Sequence, residues 1–358
     1  MTAGQIAFEA GRYGEAERHL KVALFNAEKF GPKDPRLAST LNRLAQVYHD
    51  QGKYGQAEPL YKRSLSLVER ALGPSHPDVA ANLNNLATLY RDEGEYAHAQ
   101  TLYEDALRIV RKALGPDHPD VAISLNNLAE LYGDEGKYAQ AEPLYKQSLA
   151  IWEKALGPND LNVAVSLNNL GALYANEKKY AEAEKLYKRA LAIKEVNLGS
   201  SDPSVALSLS NLGKVYVAER KFDEAQPVLY RALTILHWPI EDSSNPVVGR
   251  ALNNLATFYR EQGNYDLAEY YYKKSLEFTR KVQGPTTPNA AKTMTDYAVL
   301  LRETHRPAEA AKFEANARGI LAQNGRADKA PARAKASVRA KVPAHGKARR
   351  AARRPPHR

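Results

Sequence analysis

The 358-residue chain has no cysteine and only two tryptophans and two methionines. Without cysteine it can form neither a disulfide framework nor a thiolate metal site, and a reducing cytosol is the default compartment. Residues 1–10 lack the basic start and uninterrupted apolar run of a signal peptide, and no run elsewhere is long and apolar enough to span a membrane. We therefore expect a cytoplasmic protein, although export stays open if the chain begins inside a longer one.

Motifs of catalytic and metal sites are missing as well. No histidine pair has the i, i+4 spacing with a glutamate that indicates a zinc site. There is no glycine-rich phosphate loop before a helix and no nucleophile elbow. The tyrosines recur at a fixed interval, which is typical of packing and not of a catalytic array. We therefore expect no enzyme activity, no cofactor and no metal.

The dominant feature of the sequence is a repeat of 42 residues. Equivalent helix-opening residues follow at steps of 42, then one step of 43, then 42 again, and an aromatic marker runs in parallel. The openings are Pro35, Pro77, Pro119, Leu161, Pro203, Pro246 and Pro288, and the markers are Tyr54, Tyr96, Tyr138, Tyr180, Phe222 and Tyr265. A period this even predicts one elongated solenoid of stacked units, not several globular domains.

Each unit reads as two amphipathic helices. Leu83, Leu86, Ala87 and Tyr90 have the i, i+3, i+4, i+7 spacing of an apolar helix stripe, which predicts a first helix, helix A. A second stripe after Gly94 predicts helix B. A Leu-Gly-Pro sequence then ends helix B, since glycine can adopt a left-handed cap and proline cannot continue the helix.

The two ends of the chain depart from the unit. Residues 1–34 resemble a hairpin with a shortened first helix, and residues 288–323 resemble a degenerate capping repeat, with Pro307 at the place of the aromatic marker. Residues 324–358 contain twelve Lys or Arg against one acid, a net charge of +11, whereas the rest of the chain has 39 basic and 40 acidic residues. We expect this tail to be disordered.

The second unit resembles the tetratricopeptide repeat pattern. The residues that carry this resemblance are the small residue Ala87, Tyr90, Gly94, Tyr96, Ala99, Tyr103 and Ala106. The 42-residue period, with Leu-Asn-Asn-Leu-Ala-x-Leu-Tyr and Leu-Gly-Pro-x-His-Pro, is similar to the kinesin light chain variant of that family. The resemblance covers residues 35–322. It implies an all-α, right-handed superhelical solenoid of antiparallel helix pairs, in which helix A lines a concave groove for protein or peptide ligands.

A candidate groove stripe lies about a quarter-turn from the core stripe, at the places of Asn84, Thr88 and Arg91 in each unit. The resemblance to kinesin light chains implies that the first asparagine of each pair contacts a peptide main chain, which an amide can bind as donor and acceptor. The candidate residues are Asn42, Asn84, Thr88, Arg91, Asn126, Glu130, Asn168, Lys214, Asn253 and Arg260.

The second asparagine of each pair is expected to face neighbouring helices, where it would satisfy backbone groups of an inter-repeat loop. These structural candidates are Asn85, Asn127, Asn169, Asn211 and Asn254. The charges of the stripe are mixed, so the acidic-peptide preference of kinesin light chains does not transfer to this chain.

Three functions stay open at this level. The first is a non-catalytic scaffold or adaptor that binds an extended peptide in its groove. The second is non-specific binding of nucleic acid or an anionic surface through residues 326–358, with the solenoid as an oligomerisation or presentation platform. The third is the sensor part of a larger protein.

Overall fold

The computed structural model describes residues 3–9, 12–29, 31, 35–238, 245, 247–285 and 287–323. These ranges contain sixteen α-helices and no strand. The helices are α1 Ala3–Glu9, α2 Tyr13–Lys29, α3 Pro35–Asp50, α4 Tyr54–Leu72, α5 Pro77–Glu93, α6 Tyr96–Leu114, α7 Pro119–Asp134, α8 Tyr138–Leu156, α9 Leu161–Asn176, α10 Tyr180–Leu198, α11 Pro203–Ala218, α12 Phe222–Ile235, α13 Val247–Glu261, α14 Tyr265–Gln283, α15 Pro288–Glu303 and α16 Pro307–Gln323.

Successive helices form antiparallel pairs in which odd-numbered helices are the A helices and even-numbered ones the B helices. The fold class expected from the sequence is confirmed: the chain forms an all-α, right-handed superhelical solenoid of helix pairs. Within the described ranges, none of the helices combines the length and hydropathy that a membrane crossing requires. The expected disordered tail, 324–358, lies outside the described residues, as does the predicted opening residue Pro246.

The loop between repeats determines where each helix begins and ends. Gly115 has a φ of 90°, in the left-handed region that favours glycine, and a Cβ there would meet nothing within 4 Å. Its conformation, not close packing, therefore requires the glycine. The next helix is capped by His118, whose Nδ1 accepts a hydrogen bond from the backbone N–H of Asp120 at 3.2 Å, and Pro119 follows as the first helical residue.

Small residues on the A helices let the B helix of the same repeat approach closely. The ring of Tyr103, a buried residue of α6, packs in the core cluster that contains Ala87 of α5. In the fifth repeat, glycine and leucine take these two places. A Cβ at Gly213 would lie 2.5 Å from the Cδ2 atom of Leu229, so no larger side chain fits unless Leu229 moves.

Neighbouring repeats are linked differently on the two edges of the solenoid. The A helices from α5 to α15 contact one another in sequence, and their links are buried or half-buried: short amide pairs such as Asn169 to Asn126, and the ion pair of Arg91 with Glu130. The B helices are linked by more exposed ion pairs, such as Arg231 to Glu195. The A helices therefore lie closer together and form the inner, concave edge.

Glu269 of α14 is a carboxylate of the outer edge with three partners. It accepts hydrogen bonds from Arg306 at 2.7 Å and from the Tyr297 hydroxyl at 2.8 Å, and its carboxylate lies 2.7 Å from the Lys273 ammonium. Burial would raise the pKa of Glu269, but these three donors lower it to about 2.

The fifth repeat is irregular. Helix α12 has 14 residues, whereas most B helices have 19, and its C-cap is Leu236 instead of the usual glycine. His237 adopts a positive φ of 55° instead. The Trp238 ring then packs edge-on against Phe278 of α14, with 6.4 Å between ring centroids.

Candidate peptide-binding surface

One stripe of each A helix remains open to solvent, and we call these stripes together the inner face. In α5 it consists of Ala81, Asn85, Thr88 and Asp92, all exposed or half-buried. The equivalent residues of the other A helices follow at the repeat spacing. Most of them keep solvent exposure, and three of them, Asn169, Leu207 and Asn211, are buried. The inner face is therefore a continuous surface from α3 to α15.

The first asparagine of each pair lies beside this stripe, between adjacent A helices. Asn84, Asn126, Asn168 and Asn253 are all buried, and Asn168 is 0% exposed. The expectation that these amides form an exposed ladder in the groove is therefore wrong for these four residues. The physical reason is that each A helix packs against its own B helix and against both neighbouring repeats, so its buried surface is wider than one apolar stripe. Asn42, in the terminal full repeat, is half-buried.

The first asparagines bond to the following repeat. Asn42 donates through Nδ2 to Asn82 Oδ1 at 3.0 Å, and Asn84 donates to Ser124 Oγ at 3.1 Å. Asn168 accepts from Ser208 Oγ at 3.4 Å. In these three cases the residue contacted lies 40 positions further along the chain. Asn253 donates instead to Asp296 Oδ2 at 2.8 Å.

The second asparagine donates a hydrogen bond through Nδ2 in every other repeat and makes none with a described residue through Nδ2 in the repeats between. Asn85 donates to Asn42 Oδ1 at 3.0 Å, Asn169 to Asn126 Oδ1 at 3.1 Å, and Asn254 to Ser210 Oγ at 2.8 Å. Their partners lie in the preceding A helix and not in an inter-repeat loop. The two remaining members make no hydrogen bond to any described residue through Nδ2: these are Asn127, which is half-buried, and Asn211, which is buried.

Thr88 belongs to the inner face, as the sequence predicts, but its hydroxyl is already bonded. It donates to the Asn84 carbonyl oxygen at 2.8 Å and lies 2.8 Å from the hydroxyl of Tyr103. Burial is the main reason why the pKa of Tyr103 is raised. Thr88 therefore helps to satisfy the hydroxyl of a buried tyrosine.

The prediction that Arg91 lies on the groove surface is wrong. Arg91 is buried, and neighbouring carboxylates balance its positive charge. Its guanidinium lies 2.6 Å from Glu130, 3.2 Å from Asp92 and 3.7 Å from Asp134. Burial alone would lower the pKa of Arg91, but these carboxylates raise it above its ordinary value. The inner face in this region therefore presents carboxylates, with Glu130 and Asp134 only half-buried above the arginine.

Arg260 has a similar arrangement near the other end of the solenoid. It forms ion pairs with Glu261 of its own helix and with Glu303 of α15, the latter at 2.6 Å. Burial would lower the pKa of Arg260, whereas the charges of Tyr272, Glu261 and Glu303 raise it. Its charge is therefore balanced within the protein.

Lys214 differs from both arginines. It is half-buried on the inner face and forms no ion pair or hydrogen bond with any residue that the structure describes. Its pKa is lowered to about 8, chiefly by burial and also by the positive charges of Lys292 and Arg250, against the opposing charge of Asp296. Arg250, also half-buried, has its pKa lowered by burial and raised by Tyr187.

Family comparison agrees with the helix pairs and their period. The tetratricopeptide repeat family model matches residues 36–112, 78–154, 125–195, 162–236 and 247–323. The chain belongs to the tetratricopeptide repeat family. No curated protein sequence matches it.

Solved structures similar to this tetratricopeptide repeat protein include kinesin light chain-like proteins. BtubC (BKLC) from P. vanneervenii is 29% identical with a TM-score of 0.54, over 62% of this chain and 90% of that one. A Podosopora anserina protein, named as a kinesin light chain with nearly identical repeats, is 26% identical with a TM-score of 0.49, over 58% and 98%. A Rap protein in complex with Competence and Sporulation Factor is 17% identical with a TM-score of 0.65, over 86% and 81%.

The groove stripe predicted from the sequence starts one residue before the stripe that is open in the structure. The stripe that starts from Asn84 runs along the interface between A helices, whereas the stripe that starts from Asn85 is open. Several charged residues of the inner face, among them Asp92, Asp134, Lys292 and Asp296, were missed for this reason. The signal that finds them is the i, i+4, i+7, i+11 spacing counted from Ala81.

Proposed function

We propose that this tetratricopeptide repeat protein is a non-catalytic scaffold or adaptor that binds an extended segment of a partner protein along its inner face. The observation that carries the proposal is the continuous open stripe from α3 to α15, which changes in character along its length. It is acidic around Glu130 and Asp134, neutral around Ala172, and basic around Lys214. A surface of this kind can select an extended ligand by position-specific contacts.

The expected ligand contacts follow from the exposure of the inner-face residues. Asn85, Asn127 and Asn254 are half-buried and can offer amide atoms to a ligand main chain. Among the residues named from sequence, Thr88, Glu130 and Lys214 lie on the inner face, and we keep them as proposed contacts. Asn42 and Arg260 are half-buried beside it and bond within the protein. The buried members of that set support the solenoid behind the surface.

The test is selection from a displayed random peptide library against the full chain. The selected peptides are then measured against two double variants that add the same two arginines. One, Ala81→Arg with Ala172→Arg, places them on the inner face. The control, Ala97→Arg with Ala181→Arg, places them at exposed positions on α6 and α10.

We expect the inner-face variant to weaken the selected peptides about tenfold or more, because a bulky cation occludes the surface, and the control to retain affinity. Circular dichroism verifies that both variants keep their helices. Equal affinity of both variants would refute the proposal.

A second candidate function rests on charge segregation. Residues 326–358 carry the excess positive charge of the whole chain. The alternative is polyanion binding by this segment, non-specific for nucleic acid or an anionic surface. It predicts that retention on duplex DNA falls steeply with salt and disappears in a chain ending at Gly325. If the shortened chain keeps its peptide ligands but loses DNA, the two functions are separate. If it loses both, the groove proposal fails.

A further inference from the structure

Four tyrosines form a continuous row across the outer edge of the solenoid where α12, α13 and α14 meet, and we call them the tyrosine patch. The hydroxyls of Tyr230 and Tyr259 are hydrogen-bonded to each other, and the Tyr259 ring stacks on that of Tyr271 with 5.6 Å between ring centroids. Tyr270 then meets Tyr271 edge-on at 5.1 Å. Tyr230 is 38% and Tyr270 50% exposed. The row therefore presents aromatic rings to solvent at both of its ends.

Stacking of the repeats does not require this patch. At the corresponding place between the first and second repeats, the Tyr90 hydroxyl donates to Glu58, which also pairs with Lys62 at 2.6 Å. A lysine occupies the position of Lys62 in α8 and α10 as well, and Tyr230 replaces it in α12. The tyrosine therefore removes an exposed charge that other repeats place on the outer edge.

An aspartate accompanies the patch on each of its two B helices. Asp266 lies one turn before Tyr270 on α14, and Asp223 lies two turns before Tyr230 on α12, so each shares a helix face with its tyrosine. Both aspartates are exposed, and neither forms an ion pair or hydrogen bond with any residue that the structure describes. The corresponding residues of α6, α8 and α10 are the alanines Ala97, Ala139 and Ala181. The patch therefore combines aromatic rings with carboxylates that the described protein leaves available.

This combination fits a segment that is rich in arginine and proline. Aromatic faces attract guanidinium and ammonium groups, and aromatic-lined surfaces bind proline-rich chains. The two carboxylates add charge complementarity. Residues 324–358 contain twelve Lys or Arg and four prolines, and 349–356 alone hold four arginines and two prolines. The tail of this chain therefore has the chemistry that the patch is suited to bind.

The tail is also long enough to reach the patch. Arg306, which immediately precedes α16, pairs with Glu269 at 2.7 Å, so α16 begins beside this part of α14. Helix α16 has 17 residues, which places its last residue, Gln323, roughly 25 Å away along the helix axis. An extended chain rises roughly 3.3 Å per residue, so about ten residues beyond Gln323 span that distance. Residues 349–356 lie further along the chain than this and can reach Tyr270.

We propose that the arginine- and proline-rich end of the tail, residues 349–356, docks on the tyrosine patch of its own chain. A second copy fits less well, because the exposed parts of Tyr230 and Tyr270 cover roughly 200 Å², whereas a stable dimer buries about 800 Å² per partner. A tethered segment has an effective concentration in the millimolar range, so contacts too weak for a separate partner suffice. This inference goes beyond the proposed function and does not depend on the inner face. A docked tail would be less available to polyanions.

The test measures the distance between the tail and the patch in the full chain. Because the chain has no cysteine, Ala352→Cys with Gln262→Cys places two spin labels at defined positions. Gln262 is exposed and lies eight residues before Tyr270, so a docked tail holds the labels roughly 20 Å apart. An undocked tail of this length spans roughly 30 Å from Gln323, which gives a broad distribution centred near about 40 Å. Double electron–electron resonance separates the two cases.

Two double variants of the labelled chain add the same two lysines. Tyr230→Lys with Tyr270→Lys removes the exposed tyrosines and supplies the residues that α10 has at the same positions, Lys188 and Lys185. The control, Ala139→Lys with Ala150→Lys, adds the lysines at exposed positions of α8. We expect the tyrosine variant to shift the main distance from about 20 Å to about 40 Å and the control to keep the short distance. Circular dichroism verifies that both variants keep their helices.

A third variant, Asp223→Ala with Asp266→Ala, leaves the row of tyrosines intact and removes only the two carboxylates. We expect it to lower the short-distance population about twofold, because the arginines lose their ion pairs. It decides the question if the lysine variant loses helix content: an unchanged short-distance population would then overturn the proposal.

A wild-type distribution as broad as that of Tyr230→Lys with Tyr270→Lys would overturn the docking of the tail, and so would equal effects of this variant and its control. Chains that carry one label each are also mixed. A short distance in that mixture would mean that the tail docks on another copy, which would overturn docking on its own chain.

Discussion

Replacing Asn126 by alanine tests whether the buried amides support the stacking of repeats. Asn126 and Asn169 are each 4% exposed, and one hydrogen bond of 3.1 Å joins them across α7 and α9. In Asn126→Ala, the Nδ2 group of Asn169 loses its acceptor, and its Oδ1 atom already lacks a protein donor. A buried polar group without a partner costs about 1–3 kcal/mol, so we expect unfolding to become easier by about 2 kcal/mol.

The reverse change should cost less. Asn169→Ala leaves only the Oδ1 atom of Asn126 without its donor and also removes an unpaired oxygen, so we expect a loss of about 1 kcal/mol. The double variant should lose less than the sum of the two, with a coupling of about 0.5–1.5 kcal/mol. Asn127→Ala is the matched control. Its half-buried amide bonds to no described residue, so we expect a change below about 0.5 kcal/mol.

The assay is urea unfolding followed by circular dichroism, together with hydrogen exchange of the α7 and α9 amides, which localises the loss to this interface. Equal losses for Asn126→Ala and Asn127→Ala, or strict additivity in the double variant, would refute the structural role given to the first asparagines.

Gly213→Ala should lower the free energy of unfolding by about 1–3 kcal/mol, because its Cβ would lie 2.5 Å from Leu229. Gly133→Ala is the control, since the nearest atom to its Cβ is 3.8 Å away and alanine favours a helix by up to about 1 kcal/mol. If the urea midpoints of Gly213→Ala and Gly133→Ala shifted equally, the close packing of Gly213 against Leu229 would be contradicted. Glu269→Gln should remove a pH-dependent contribution. The pKa of Glu269 is lowered from 4.5 to about 2, so its stabilisation is complete above pH 4.5 and is lost as pH falls towards 2. The pairs lie near the surface, so we expect a difference of no more than about 1 kcal/mol at neutral pH, and a wild-type advantage that stays constant down to pH 2 would disprove it.

The sequence predicted the helix starts well because the loop chemistry is local. Helices begin at Pro35, Pro77, Pro119 and Leu161, as the period indicates. The last three are capped by the side chains of His76, His118 and Asp160. In the fifth repeat, where the glycine is absent, the short α12 could not be foreseen from the repeat alone.

The groove was harder to predict than the helices because exposure depends on three neighbours at once. In α5 the buried residues include Asn82, Asn84 and Arg91 as well as the apolar stripe, which leaves a narrow open strip. A polar residue in a repeat can therefore be buried as readily as leucine if the next repeat supplies a partner. Nor could the sequence distinguish a balanced cation such as Arg91 from Lys214, which pairs with none of the described residues, since the difference depends on which carboxylates the stacking brings near.

The two edges of the solenoid resist deformation unequally. The links of the concave edge, which are short amide pairs and the ion pair of buried Arg91 with Glu130, are shielded from solvent and are therefore little affected by ionic strength. The long ion pairs of the convex edge are more exposed, so dissolved salt weakens them. The convex edge of the solenoid should therefore deform more easily than the concave edge. The curvature of the solenoid, and with it the width of the groove along the inner face, should change with salt concentration. The register between repeats should not change.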